Sequence, residues 1–496
     1  MVAQAERMTA APTGTGVALD QTRAPLMAAL ERYQEAIVAP FSAPGHKCGA
    51  GAGAPARALL GDGFTSDVWL GVADQDPAQR AAEDLAAAAW GAERSFFLVN
   101  GSSSGTHAFF LAALGPGDDV VVARDAHQSL LTALILTGAR PVWVMPRLHP
   151  ELDLGLGVAP ADIAAALDAH PRARLVTLTS PTYHGVASDV AAVAAVAHAR
   201  GVPLYVDEAW GPHFPFHPAL PPSAMASGAD AAVTSLHKVL AALRQGALLN
   251  VRGPRVDGDR VGTTIRMTQT TSPSMAILAS LDACRRQMVL DGEGLLERAI
   301  GLAFAARRRL QALPGVEVLG GHHVGGADFD PMRLVIDVRG LGLTGFVAER
   351  VLRDRFGVAP AMADLAGVVC LIGLGDTAAS VDRLIGAVAA LATERPGAAG
   401  VAGSRPRSST GAITTGVQAW TPREAFFVPA RAVPLAEAVG AVAAEPVIPY
   451  PPGIPLLLPG EVVSADAVEW LLTGLAAGLR VGGTADPTLA TVRVVA

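Results

Sequence analysis

The chain has 496 residues, of which 51% are hydrophobic and 17% charged, and a net charge of −7; this excludes wholesale disorder and gives no general basic field for nucleic acid. The sequence holds no uninterrupted apolar run of ~18 residues, so no membrane association is expected, and the opening MVAQAERMTAAPTG lacks the apolar centre of a secretory signal. Three widely spaced cysteines, Cys48, Cys284 and Cys370, suggest a reducing, cytoplasmic setting, with no disulfide frame and no metal site.

Residues 1–20 are small and polar and are expected to fray. From about residue 80 to 250, apolar runs alternate with helical patterns. The runs are SFFLVN (95–100), DVVVA (119–123), RPVWVM (140–145), RLVTLTS (174–180), VPLYVDEA (202–209) and AAVTS (231–235). The helical patterns cover 81–90, 106–114, 127–137, 159–169 and 187–200. Strand–helix–strand repetition at this spacing predicts a parallel sheet with both faces covered. Residues 284–394 read as a smaller α+β domain that includes VEVLG and RLVIDV. Residues 395–416 read as a Gly/Ser-rich linker, and 417–496 as a last α+β module. Within that module, PVIPYPPGIPLLLPGE (446–461) is too rich in proline for a helix and predicts extended chain and turns. The remaining boundaries put an N-terminal segment at 1–60 and a large domain at 61–283.

Lys and Arg total 38, yet only two are lysines, Lys47 and Lys238. Where a surface cation suffices, this chain uses arginine, so a surviving lysine points to chemistry that arginine cannot perform: losing its proton or forming an imine. Parallel sheets bind ligands beyond the C-terminal ends of their strands, and three features fall there. SFFLVN leads into Gly101-Ser102-Ser103-Ser104-Gly105, whose hydroxyls and helix-start N–H groups suit a phosphate. VPLYV ends at Asp207, and AAVT runs into Ser235-Leu236-His237-Lys238. An anion loop, a carboxylate and a rare lysine are what pyridoxal 5'-phosphate (PLP) requires: the lysine holds the aldehyde, the carboxylate keeps the pyridine nitrogen protonated, and the loop takes the phosphate.

The chain resembles the bacterial ornithine/lysine/arginine decarboxylases, in the shorter biosynthetic type without an N-terminal wing domain. The resemblance covers residues 22–496. It is carried by PGHKCGAG (44–51), SFFLVNGSSSGTH (95–107), DAHQSLLTALILTGARPVWV (125–144), SPTYHGV (180–186), VPLYVDEAWGPHFPFHP (202–218), SLHKVLAALRQGA (235–247), TTSPSM (270–275), TPREAFF (421–427) and YPPGIPLLLPGE (450–461). It implies PLP fold type I, an aspartate-aminotransferase-like α/β architecture. The large domain would carry a mainly parallel sheet and the cofactor, followed by a small α+β domain and a C-terminal decarboxylase-type domain.

The resemblance also implies roles. Lys238 would carry the internal aldimine, Asp207 would pair with the pyridine nitrogen, and His127 would stack on one ring face with Ala209 against the other. Trp210 would adjoin the cofactor. Ser102, Ser103 and Ser104, with Ser235, would hold the phosphate, and His237 would flank the imine. Thr271 and Ser272, within 270–274, would reach the site of a neighbouring subunit, which implies a homodimer or larger assembly with shared sites. Lys47 would be structural or an anion contact.

The implied reaction is decarboxylation of arginine, lysine or ornithine through a quinonoid intermediate to an amine that serves polyamine synthesis. Lys238 or a nearby His would return the proton. The substrate's distal cation needs an anion, for which Glu461, Asp74 and Asp76 are candidates. Some positions depart from the family pattern: Arg244 stands before Gln245 where a small hydroxyl residue is usual, Trp210 where His is common in some members, and Met275 where an aromatic is frequent. The stretch 65–80 matches poorly. These departures leave a second reading open: oxidative deamination, transamination or elimination of an amino acid on the same scaffold.

Overall fold

The computed structural model describes residues 19–37, 39–61, 63–325, 327–394, 416–450 and 453–496. Nearly all of the expected linker, and of the start expected to fray, lies outside these residues.

The large domain is built on a seven-stranded sheet of β1 (Arg94–Leu98), β2 (Asp119–Ala123), β3 (Arg140–Val144), β4 (Leu175–Thr179), β5 (Leu204–Asp207), β6 (Ala231–Thr234) and β7 (Ala247–Val251). Its order is β1-β7-β6-β5-β4-β2-β3. The five strands from β6 to β3 pair in parallel, whereas β7 runs antiparallel to both β6 and β1. The runs read from sequence coincide with β1 to β6 to within a few residues. β7, whose segment ALLNV is wholly buried, was not among them, because a short run buried on both faces shows no alternation.

The period-two geometry of strands divides the core. Val120, Val122, Tyr205 and Val233 face the helices Gly101–Ala113, Gln128–Thr137 and Gly258–Thr268. Val121, Ala123, Val206 and Ala232 face Pro160–Ala169 and Val190–His198. With both faces covered, the sheet offers ligands only its ends.

A 37-residue helix, Met275–Gln311, leads from the large domain to the small one, so the expected boundary at 283/284 falls inside a continuous helix. The small domain carries a four-stranded antiparallel sheet, ordered β10-β11-β9-β8, from β8 (Glu317–Val318), β9 (Arg333–Asp337), β10 (Met362–Ala363) and β11 (Gly367–Leu371). Its core merges with the long helix, with Gly345–Phe356 and Ala378–Glu394, and with the N-terminal helix Pro25–Ala36. The C-terminal module pairs β12 (Ala430–Pro434) with β15 (Thr491–Val495), and β13 (Ile448–Pro449) with β14 (Val481–Gly482), around the helix Ala465–Ala476. As expected, the described part of the proline-rich segment is extended chain and turns.

Candidate active site

The C-terminal ends of β2, β4, β5 and β6 supply most of the site, and the helix after β1 supplies one wall. Gly105 lets that helix sit close: a Cβ there would lie 2.6 Å from Leu98 and 2.9 Å from Val233. The N-terminal turn Gly101-Ser102-Ser103-Ser104 is thereby brought against the strand ends. Ser104 Oγ donates to Gly101 O at 2.8 Å, so this hydroxyl serves its own helix. Ser102 and Ser103 hydroxyls make no hydrogen bond among the described residues. Gly101 N–H donates to Gln245 O at 2.8 Å, and Gln245 stands at φ 78°, which fixes the turn after Lys238 against the loop. Arg244, in that turn, is exposed.

Asp207 ends β5 and accepts the Ala209 N–H at 3.0 Å. Lys238 lies in the short helix Leu236–Val239 that follows β6, with Nζ 4.3 Å from the centroid of the Trp210 ring. Burial pushes the Lys238 amine down to about 8 against the pull of Asp207, and the Arg333 charge pushes it the same way. The Asp207 carboxyl is raised by burial and lowered by Lys238. The two charges sense one another, yet no direct ion pair closes between them, and neither residue is fully sealed.

His127 caps the helix Gln128–Thr137, and its Nδ1 accepts the Ser129 N–H at 3.2 Å. In the neutral ring Nε2 therefore carries the proton. Burial first, then Lys238 and His107, push this imidazole down to about 4, so it is uncharged at neutral pH. Gly453 of the C-terminal module packs on it, with φ 96° and a Cβ position 3.4 Å from the ring, and its carbonyl accepts the Gln128 N–H at 3.1 Å. His237 Nδ1 lies 3.0 Å from Gly246 O and so donates to it.

Ser235 Oγ is buried without a hydrogen-bond partner. Such an orphan costs about 1–3 kcal/mol unless a ligand satisfies it. This hydroxyl, the free Ser102 and Ser103 hydroxyls and a largely buried Lys238 without a direct carboxylate partner fit PLP. Ala209 is buried beside Asp207, and Trp210 keeps its indole Nε1 buried and unpartnered.

The remaining candidates lie elsewhere. Glu461 is 1% exposed, and its Oε2 takes Arg124 Nη2 at 3.1 Å and the Leu458 N–H at 3.0 Å. Through Oε2 it ties the C-terminal module to the end of β2, while Oε1 is buried without a hydrogen-bond partner. Asp74 and Asp76 sit exposed near the start of the helix Val72–Trp90, and Thr271 and Ser272 are exposed before the long helix. Within one chain none of these four joins Lys238. Lys47 Nζ donates to Ser42 O, a local tie.

Three residues without an assigned role in the sequence analysis also belong to this region. Asp125, just beyond β2, is buried and pushed up to about 6. Tyr183 is buried after β4 and raised by burial and by Asp207 and Asp125. Arg333, fully buried at the start of β9, lies 4.1 Å over Trp210 and donates from Nη2 to Trp210 O at 3.2 Å. Asp125 and Tyr183 stand at strand ends within quoted motifs, so a search for polar groups there could have found them. Arg333 comes from another domain, and no local signal marks it. A cleft of about 980 Å³ is lined by residues that include Asp118, Asp119, Arg140, Arg174 and Arg200. It opens at the strand starts, away from this chemistry.

Comparison with known proteins places the chain. The model for the Orn/Lys/Arg decarboxylase major domain matches residues 24–380, and that for the C-terminal domain of the same enzymes matches 415–479. This chain belongs to the Orn/Lys/Arg decarboxylase family. An arginine decarboxylase of Halalkalibacterium halodurans is 36% identical over 96% of this chain and 98% of its own length. One of Bacillus subtilis is 36% identical over 96% and 99%. The lysine decarboxylase LdcF of Francisella novicida shares the fold with a TM-score of 0.81 at 20% identity, covering 95% of this chain and 81% of the other. A serine palmitoyltransferase solved with PLP as an internal aldimine aligns over 75% of this chain and 84% of its own, with a TM-score of 0.55 at 16% identity. The family's architecture here is thus the expected PLP fold type I. Among the described residues no helix is long and apolar enough to cross a membrane.

Proposed function

We propose that this protein is a PLP-dependent decarboxylase of a basic L-amino acid, with arginine as the preferred substrate and agmatine as product. The observation that carries the reading is the meeting of Lys238 and Asp207 at the ends of the neighbouring strands β6 and β5, each sensing the other's charge without a direct ion pair, with the buried, unpartnered Ser235 hydroxyl and the uncharged His127 in the same region. Family membership and the arginine decarboxylases similar over nearly the whole chain support it. PLP would supply the aldehyde that captures the substrate amine and the electron sink that accepts the bonding pair released with CO₂.

The chain's own residues do the rest. A Lys238 amine brought down to about 8 is neutral in a useful fraction near that pH and can act as nucleophile and proton carrier. Asp207, held by the Ala209 N–H, keeps its negative charge against a cationic ring nitrogen and so holds that proton in place. His127, uncharged, would pack against the cofactor ring without adding charge. Ser102, Ser103 and Ser235 would hold the phosphate, the first two at a helix N-terminus. Enclosure disfavours the substrate's carboxylate and favours its departure as CO₂. Lys238 or a neighbouring histidine then delivers one proton to Cα, which completes the amine. Thr271 and Ser272, exposed in one chain, are where a second subunit would meet the site of a homodimer, in a cytoplasmic enzyme.

The test is a panel of arginine, lysine, ornithine and neutral amino acids, scored for CO₂ and for oxo-acid release. Arginine is expected to give CO₂ and agmatine in equal amounts. Release of oxo acid without CO₂ from every basic substrate would overturn the assignment.

A further inference from the structure

At the rim of the small domain, Glu317 on β8 and His322 and His323 in the following loop bring their ligand atoms within 4.8 Å of one another. His323 Nε2 lies 3.2 Å from Glu317 Oε1, and the two imidazole rings are 3.8 Å apart at 40°. His322 is exposed, and neither of its ring nitrogens has a hydrogen-bond partner among the described residues. Against His323 lies a third imidazole, His149, at 5.5 Å and 71°, contributed by the large domain. Its Nδ1 accepts the Glu151 and Leu152 N–H groups at 3.2 and 3.0 Å, so this ring is held as a wall rather than free to turn.

We propose that Glu317, His322 and His323 form a surface site for one divalent transition-metal ion of the zinc, nickel or copper class, separate from the PLP chemistry. Two imidazoles and a carboxylate are borderline donors that favour such ions over magnesium or calcium. Three protein ligands leave one position for water, the pattern of an open site. Zinc–nitrogen bonds of about 2.0–2.1 Å put tetrahedral donors about 3.3 Å apart. The Glu317–His323 pair already has that spacing, and His322 has only to turn on an exposed loop.

At present His323 Nδ1 accepts the Gly320 N–H at 3.0 Å, which leaves the ring proton on Nε2. Metal binding moves that proton to Nδ1, and the Gly320 amide, in a Gly320-Gly321 turn without side chains, rotates away. The sequence reading looked for metal ligands among the cysteines and expected none. This site comes from histidines adjacent in sequence that meet a carboxylate only through the β8 turn.

The test uses PLP-loaded enzyme, dialysed against a chelator and then free of it, carrying Cys48→Ser to remove an exposed thiol as a competing ligand. Titration with Zn²⁺ in a calorimeter is expected to show one ion per chain. His322→Ala and Glu317→Gln should each weaken binding at least tenfold, while the visible band of the cofactor stays unchanged. Co²⁺ should give the visible absorption of a low-coordinate N/O site in the parent and lose it in His322→Ala. The proposal is overturned if the parent binds no Zn²⁺, or if His322→Ala binds as many ions with the same affinity. Neither result depends on decarboxylation.

Discussion

Two cation–carboxylate pairs lie within a few strands of each other, and they differ in one respect that separates chemistry from scaffolding. Arg124 and Glu461 are sealed, each 1% exposed. The guanidinium is also spent on Pro455 O at 2.7 Å and Leu456 O at 3.0 Å. Lys238 and Asp207 are each partly exposed, with no direct ion pair between them. The residue types match the tasks. A guanidinium keeps its charge and its planar donors and suits a permanent strut, whereas a lysine amine can be shifted and consumed. Arg124 and Glu461, joined directly and bound to main-chain groups of residues 455–458, tie a domain in place, although Arg124 Nε and Glu461 Oε1 keep no partner; Lys238 and Asp207, with no direct ion pair, are placed to take a ligand.

Substitutions can break that contrast. Lys238→Ala is expected to lower decarboxylation by on the order of 10³-fold or more and to abolish the visible band of the bound cofactor, with the thermal midpoint of the cofactor-free protein nearly unchanged. Turnover close to wild type in that variant would remove the basis for the site. Asp207→Ala should lower turnover by roughly 100-fold or more while some cofactor still binds, as read by the same band.

At the other pair, Glu461→Ala should do the reverse. It leaves Arg124 buried without its counter-charge and costs about 3–5 kcal/mol of stability, measured as a shift in denaturant midpoint, while Lys238 still captures PLP. If Glu461→Ala instead loses cofactor without losing stability, the division between strut and site is wrong.

The smallest expected effect concerns Glu208, the neighbour of Asp207. It is 2% exposed and accepts the Ala224 N–H at 2.6 Å. Burial pushes its carboxyl from 4.5 up to about 8. The folded state therefore binds the proton more tightly than the unfolded one. This contribution is full below about pH 4.5, declines as pH rises toward 8, and stays lost above it. Glu208→Gln keeps the N–H acceptor and removes the decline, so its thermal midpoint at pH 9 should exceed that of the parent by about a few degrees. A parent and variant that lose stability in parallel between pH 5 and 9 would count against the shift.

Much of the candidate site could be read from the sequence because its parts sit at fixed offsets from strands that periodicity reveals. Lys238 stood out as one of two lysines among 38 basic residues, and Asp207 as the polar end of an apolar run. The rest had no local mark. Glu461 matched a motif, but only the fold shows that Arg124 consumes its carboxylate. Arg333 lies 95 positions beyond Lys238 in another domain, and it meets Trp210 because β9 delivers it there. The antiparallel β7 gave no alternation to detect, and the helix Met275–Gln311 is long enough to pass through the boundary drawn across it.

The sequence by itself determined six of the seven strands of the large sheet, the chemical types at their ends and the family, since each follows from hydrophobic period, backbone freedom and residue chemistry over a few neighbours. Only the tertiary structure decided which charges are neutralised by protein and which are left open. That choice depends on burial and on contacts between residues hundreds of positions apart, and neither is encoded in any short stretch of chain.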